Sequence, residues 1–135
     1  MKPKDLVDKI FLVDRRIRYV GIVGPAPKYE LLESRMREDV KSLTPEKTDS
    51  EFVDIVPEVI LGASEKLEKD LGAIEYSLTR YKNVTLVFFK TPEYTVTLSV
   101  EPGVVVKPLY ERIKRSISSQ GLLGEGAQTR KVTRK

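Results

Sequence analysis

The 135-residue chain contains no cysteine, no histidine and no tryptophan. Without cysteine there is no disulfide and no thiol redox chemistry, and without histidine the usual zinc sites and the Ser-His-Asp and Cys-His catalytic arrangements are excluded. No apolar run approaches the ~20 residues of a membrane-spanning helix, and the opening MKPKD lacks the apolar core of a signal peptide. We therefore expect a cytoplasmic protein.

Motifs that bind cofactors or metals are also lacking. The glycines form neither a P-loop nor a dinucleotide-binding fingerprint. Glu58, Glu65 and Glu68 lie on one face of a predicted helix, but hard metals need oxygens that converge from several directions. Because Lys66 and Lys69 alternate with these acids, the pattern is typical of a solvated helix face. We predict no catalytic residue, no cofactor and no metal, and hence no enzyme.

What the chain does have is an uneven charge distribution. The net charge of +4 divides into nine basic and five acidic residues over 1–37, four and eleven over 38–75, and eleven and four over 76–135. An acidic middle between basic flanks favours complementarity within the chain or between subunits, whereas a nucleic-acid binder is more often basic on one defining element. A merely solvated acidic helix is the simpler alternative.

The first half predicts a helix, a hairpin and a long helix. Leu6, Val7, Ile10, Phe11 and Val13 have helical spacing, and residues 17–24 form a strand that is apolar on both sides and therefore central. An edge strand within residues 28–37 would pair with it. A polar connection then leads to a helix over residues 52–71, which Pro57 either kinks or divides, and Gly72 is expected as its left-handed C-cap.

The second half predicts a three-stranded meander and a last helix. Residues 74–79, 84–89 and 95–100 alternate between apolar and polar, and turns separate them. The last strand has an apolar face for the core and a hydroxyl face, which we expect to meet water or another chain. A helix begins near Val106, with Pro108 in its first turn. Residues 1–119 would form one domain and residues 120–135 a mobile basic tail.

The predicted fold class is α/β (α+β), with three helices around a five-stranded antiparallel sheet in the order α-β-β-α-β-β-β-α. Over residues 5–118 this order resembles the roadblock/light-chain-seven and profilin-like architectures, with the long helix on one face of the sheet and the terminal helices on the other. The segments IRYVGIV (17–23), LGAIEYSLTRYKNV (71–84) and LSVEPG (98–103) also resemble a family of small uncharacterised proteins of ammonia-oxidising archaea. That family has a glycine-rich hairpin where this chain has APKYELLESRMR.

The roadblock resemblance implies a homodimer whose sheets join edge to edge and whose long helices pack side by side, as a platform for a small GTPase or a larger scaffold. In this chain, the strand with Ile74, Tyr76 and Tyr81 is long and apolar enough to need a partner. We therefore predict a dimeric, non-enzymatic protein-interaction module.

Two alternatives stay open. If the first two strands pair, a basic patch could bind nucleic acid or another polyanion, and its residues would be Arg15, Arg16, Arg18, Arg35 and Arg37. A ligand-sensing domain would instead have an apolar pocket lined by Tyr76, Tyr81, Phe88, Phe89 and Tyr94, although core packing or a dimer interface is the simpler use of these rings.

Overall fold

The computed structural model describes residues 1–24, 30–38 and 66–124. The chain order within these ranges is helix, two strands, short helix, three strands and helix. The elements are α1 (Pro3–Phe11), β1 (Ile17–Val23), β2 (Leu31–Met36), α2 (Glu68–Leu71), β3 (Ser77–Arg80), β4 (Thr85–Lys90), β5 (Thr95–Val100) and α3 (Val106–Gly124).

The five strands form one sheet in the order β2-β1-β5-β4-β3, and all neighbouring strands are antiparallel. Strand β1 is central, because Ile22 lies opposite Glu33 of β2 on one side and opposite Val96 of β5 on the other. Strand β2 is at one edge and β3 at the other. These positions confirm the predicted fold class, the central first strand and the edge position of the second.

One face of the sheet packs against the two terminal helices. Leu6, Val7 and Ile10 of α1 and Leu109 and Ile113 of α3 are each at most 2% exposed. They belong to the same apolar cluster as the strand residues Val20, Ile22, Val87, Phe89, Val96 and Leu98. Full burial of one such side chain contributes about 1.5–3 kcal/mol, so this layer is a main source of stability. Both terminal helices therefore lie on one face, as predicted.

The second face of the sheet is also buried, which corrects the expectation for β5. Thr95 and Thr97 are each 1% exposed, so the hydroxyl face of β5 does not meet water at these two positions, and Ser99 on the same face is half-buried. Their cross-strand neighbours share this environment, because Thr97 lies opposite Phe88 and Thr95 opposite Val23, and both of these are fully buried. Threonine packs its methyl group well against such side chains. Residues 52–65 of the helix predicted over 52–71, including Pro57, lie outside the described residues.

Two boundaries differ from the predicted ones. Strand β3 begins at Ser77 rather than Ile74, because the backbone N–H of Ile74 donates to Glu68 Oε2 at 2.8 Å and holds the preceding segment against α2. Helix α3 extends to Gly124, past the predicted start of the tail at residue 120. Gln120, Leu122 and Leu123 have good helix propensity, which offsets the single Gly121. The rest of the predicted tail lies outside the described residues.

Gly72 ends α2 with φ 91° and ψ 172°. Only glycine adopts this backbone region at low cost, so Gly72→Ala should lower the free energy of unfolding by roughly 1–2 kcal/mol. An added Cβ would meet no atom within 4 Å, so the loss measures backbone strain alone. Gly103 is a matched control, because its surroundings are equally open and its φ is ordinary. Chemical denaturation should show Gly103→Ala as neutral or slightly stabilising, and equal losses for both variants would contradict the strain at Gly72.

Candidate interaction surfaces

The first candidate surface is the sheet edge formed by β3. This four-residue strand has β4 as its neighbour on one side and the end of the sheet on the other. Leu78 in the strand is 43% exposed, and Tyr81, directly after it, is 50% exposed. An apolar strand edge of this kind is a template for pairing with another chain.

The predicted edge residues have three different environments. Tyr81 is exposed at the end of β3, whereas Ile74 lies half-buried before the strand. Tyr76 packs into the core, where its ring centroid is 5.0 Å from that of Tyr110. Leu78 was not among the predicted edge residues, although it continues the alternation of Ile74 and Tyr76. Its strand is the last in the sheet, so Leu78 lies at the edge.

Helix α2 and the residue before it expose two further leucines. Leu67 is 54% exposed and Leu71 is 76% exposed, and they lie four residues apart, which is one helical turn. The hydrogen bond from Ile74 to Glu68 connects this turn to the segment that enters β3. Exposed leucines therefore lie both on the helix that precedes the edge strand and on the strand itself.

The second candidate surface is the turn between α1 and β1, on which three arginines converge. Arg37, just after β2, donates from Nε to the Ile17 carbonyl at 2.8 Å, and from Nη2 to the carbonyls of Phe11 at 3.1 Å and Asp14 at 3.0 Å. Its guanidinium also lies 4.9 Å from the centroid of the Phe11 ring. Arg37 thus fixes the end of α1 to the start of β1.

Asp14 connects this turn to α3. Its carboxylate accepts hydrogen bonds from Arg16 Nε at 3.0 Å and Arg16 Nη2 at 2.8 Å, and from Arg112 Nη2 at 2.8 Å. Arg112 also donates to the Val13 carbonyl at 3.2 Å. The Asp14 side chain is only 8% exposed. The hydrogen bonds from Arg16, and to a smaller extent the one from Arg112, hold the pKa of the Asp14 carboxyl well below its usual range, although burial acts in the opposite direction.

The five arginines of the predicted basic patch are only partly brought together. Arg16 and Arg37 both bind the α1–β1 turn, while Arg35 pairs with Asp8 of α1 at 2.6 Å. Arg18 pairs with Glu101 at 3.0 Å, and Arg15 is exposed. Arg112 was not predicted to be part of the patch, because only the packing of α3 against α1 brings it to the turn.

The aromatic residues of the sensor hypothesis do not surround one space. Phe88 and Phe89 are consecutive in β4 and therefore point to opposite faces of the sheet. The Tyr94 hydroxyl donates to the Met1 carbonyl at 2.8 Å. Phe89 and Tyr110 form a T-shaped pair with centroids 5.5 Å apart, and burial, with Glu75 adding to it, raises the pKa of Tyr110. Phe89, Tyr76 and Tyr94 pack in the core beneath the terminal helices, whereas Tyr81 is exposed.

Glu68 has a structural role, since its carboxylate accepts the N–H of Ile74. Glu58 and Glu65 lie outside the described residues. Across the described ranges, no three acidic side chains are placed to hold a metal ion. No helix in the same part of the chain has the length and apolar character to cross a bilayer.

Comparison with solved structures identifies the class of fold. The roadblock/LC7 domain from Streptomyces avermitilis superposes with a TM-score of 0.64 at 7% identity, covering 92% of this chain and 99% of that one. The chain therefore has the roadblock/LC7 fold, as its element order predicted. No protein-family model and no curated protein sequence matches it.

Two MglB structures are similar in the same way. The gliding protein MglB from Thermus thermophilus has a TM-score of 0.60 at 12% identity, covering 91% of this chain and 90% of that one. An MglB in a tetrameric arrangement has a TM-score of 0.61 at 14% identity, covering 92% and 90%. At these identities the likeness establishes the fold, and function has to be argued from the surfaces.

Proposed function

We propose that this protein is a non-enzymatic, homodimeric interaction module in which the β3 edges of two subunits pair. The observation that carries the proposal is the open edge of β3, with Leu78 and Tyr81 about half exposed. Pairing would continue the sheet across the dimer and cover apolar surface that a single chain leaves in water.

The exposed leucines of α2 support the same interface. In the roadblock resemblance, the long helices of the two subunits pack side by side. Leu67 directly precedes α2 and Leu71 ends it, within the range where the long helix was predicted. One of the similar structures is itself an oligomer, the MglB in a tetrameric arrangement. An interface that contains both the strand edge and this helical turn would be larger and more apolar than either part alone.

Oligomeric state tests the proposal. The wild-type protein should elute as a dimer at tens of micromolar in size-exclusion chromatography with light scattering. Leu78→Asp and Leu71→Asp should each raise the dimer dissociation constant roughly tenfold or more, because pairing would bury an unpaired carboxylate. Val105→Asp is the matched control, since Val105 is 68% exposed and precedes α3. A monomeric wild type, or equal effects of all three substitutions, would contradict pairing at β3.

For the partner, we propose a small GTPase bound across the dimer, as the roadblock resemblance implies. The resemblance to small archaeal proteins supports an archaeal, cytoplasmic setting. Size-exclusion chromatography of the dimer mixed with a small GTPase from the same organism, loaded with either GDP or a non-hydrolysable GTP analogue, tests this. We expect a complex that depends on the nucleotide, and no complex with any such GTPase would refute this choice of partner.

A further inference from the structure

The α1–β1 turn and the adjacent turn of α3 form a surface that the fold alone does not explain. We define the arginine surface as Leu12, Arg15, Arg16, Arg112 and Arg115. Arg16 and Arg112 are 51% and 40% exposed, although both bind the buried carboxylate of Asp14. Arg15 is exposed beside Arg16, and Arg115 is exposed one helical turn beyond Arg112.

Asp14 prepares this surface to bind an anion. The Nη2 atoms of Arg16 and Arg112 lie 2.8 Å from the same oxygen, Asp14 Oδ2. The two guanidinium groups therefore lie side by side, and the buried carboxylate that they both contact is on their inner side. A second carboxylate in solvent could bridge them in a similar way. Its binding would cost little side-chain ordering, because folding has already fixed both arginines.

The side chains around Asp14 carry an excess of positive charge that favours binding of a second anion. Asp14 neutralises only one of its two arginines, and neither Arg15 nor Arg115 has an ion-pair partner within the described residues. Glu111 lies four residues before Arg115 but forms no ion pair with it in that part of the chain. Asp8, one turn before Leu12, is already paired with Arg35. The surface is therefore positive overall.

Leu12 distinguishes a protein partner from a nucleic acid. Its side chain is 86% exposed, and it immediately precedes the Val13 and Asp14 that bind Arg112. Binding single-stranded nucleic acid uses aromatic rings as stacking platforms, whereas Phe11, the ring of this turn, is covered by Arg37 at 4.9 Å. An exposed leucine among arginines is instead typical of a protein interface, where arginine and apolar anchors are enriched.

We propose that the arginine surface docks an acidic segment of a partner protein that also carries apolar side chains. The carboxylates bind Arg15, Arg16, Arg112 and Arg115, and an apolar side chain packs on Leu12. This site lies within one chain and shares no residue with the proposed β3 interface, so the proposal does not require the dimer. Loss of dimerisation in Leu78→Asp should leave this binding unchanged.

The test uses a short fluorescent peptide of alternating glutamate and leucine, with affinity measured by anisotropy. Arg15→Gln combined with Arg115→Gln should weaken binding roughly three- to tenfold, since each lost pair is an exposed one. Leu12→Ser should weaken it by a similar factor. Lys107→Gln and Val105→Ser, which alter exposed residues outside the arginine surface, should leave the affinity within twofold. Circular dichroism of each variant checks that it is folded.

Two further probes identify the chemistry that is recognised. A glutamate–serine peptide of the same length should bind several-fold more weakly than the glutamate–leucine peptide, and Leu12→Ser should remove that difference. Equal binding of the two peptides, or tighter binding of an oligothymidylate, would overturn the proposal in favour of a simple polyanion site. Unchanged peptide affinity in the double arginine variant would overturn it as well.

Discussion

Phe88→Ala should lower the free energy of unfolding by about 3–5 kcal/mol, the usual cost of removing a fully buried ring. Phe88 is 0% exposed and lies on the face of the sheet opposite α1 and α3. Phe89→Ala should cost about as much, because Phe89 is 3% exposed on the helix-covered face and packs against Tyr110. Similar losses at two consecutive residues are expected only of a sheet that is buried on both faces.

Urea denaturation followed by circular dichroism measures both losses. Leu86→Ala is the control, since Leu86 shares the face of Phe88 but is only half-buried, and it should cost less than half as much. If Phe88→Ala cost below about 1 kcal/mol while Phe89→Ala behaved as expected, the second face of the sheet would be open to solvent.

Asp14→Asn should cost about 1.5–3 kcal/mol at neutral pH, because the charge-assisted hydrogen bonds from Arg16 and Arg112 to the buried carboxylate are lost. The Asp14 carboxyl has a lower pKa in the folded protein than in the unfolded chain. Its stabilising effect is therefore fully present above about pH 4 and is lost as the pH falls toward the folded-state pKa. The difference between wild type and Asp14→Asn should narrow steadily below pH 4.

Asp8→Asn gives the matched control for Asp14→Asn. Asp8 and Arg35 form a pair whose side chains are 49% and 41% exposed, and such surface pairs contribute about 0–1 kcal/mol. Chemical denaturation at a series of pH values measures both variants. A loss for Asp14→Asn no greater than that for Asp8→Asn, or a difference that widened in acid, would contradict the role assigned to Asp14.

Local periodicity predicted the elements well, because each strand and terminal helix carries its own pattern. Residues 17–24 are apolar on both sides, and the structure places β1 between two other strands. Pro108, which is tolerated only in a first turn, lies three residues into α3. The length of β3 was less predictable, because the bond from Ile74 to Glu68 depends on tertiary placement.

The surfaces were only partly predictable for the same reason. Sequence identified Tyr81 and several of the arginines, but not which of them would be paired. Arg18 is bound to Glu101, which is distant in sequence, whereas Arg15 is exposed. No sequence pattern marked Arg112 or Leu12 as a surface site, because their neighbours are determined by the packing of α3 against α1. The strand of Leu78 was expected to need a partner, but the exposure of Leu78 itself follows from the position of β3 at the end of the sheet.

The pairing of β1 with β5 also constrains how the protein is made. Ile17 lies opposite Val100, so the central strand acquires its second neighbour only after most of the chain has left the ribosome. At usual translation speeds, the ribosome needs on the order of 4–15 seconds to add the residues between the end of β1 and the end of β5. During this time β1 has one strand edge without a hydrogen-bonding partner and apolar side chains on both faces. The incomplete chain is thus most prone to aggregation while only the first hairpin has formed. Pairing of β5 with β1 then covers the free edge of β1.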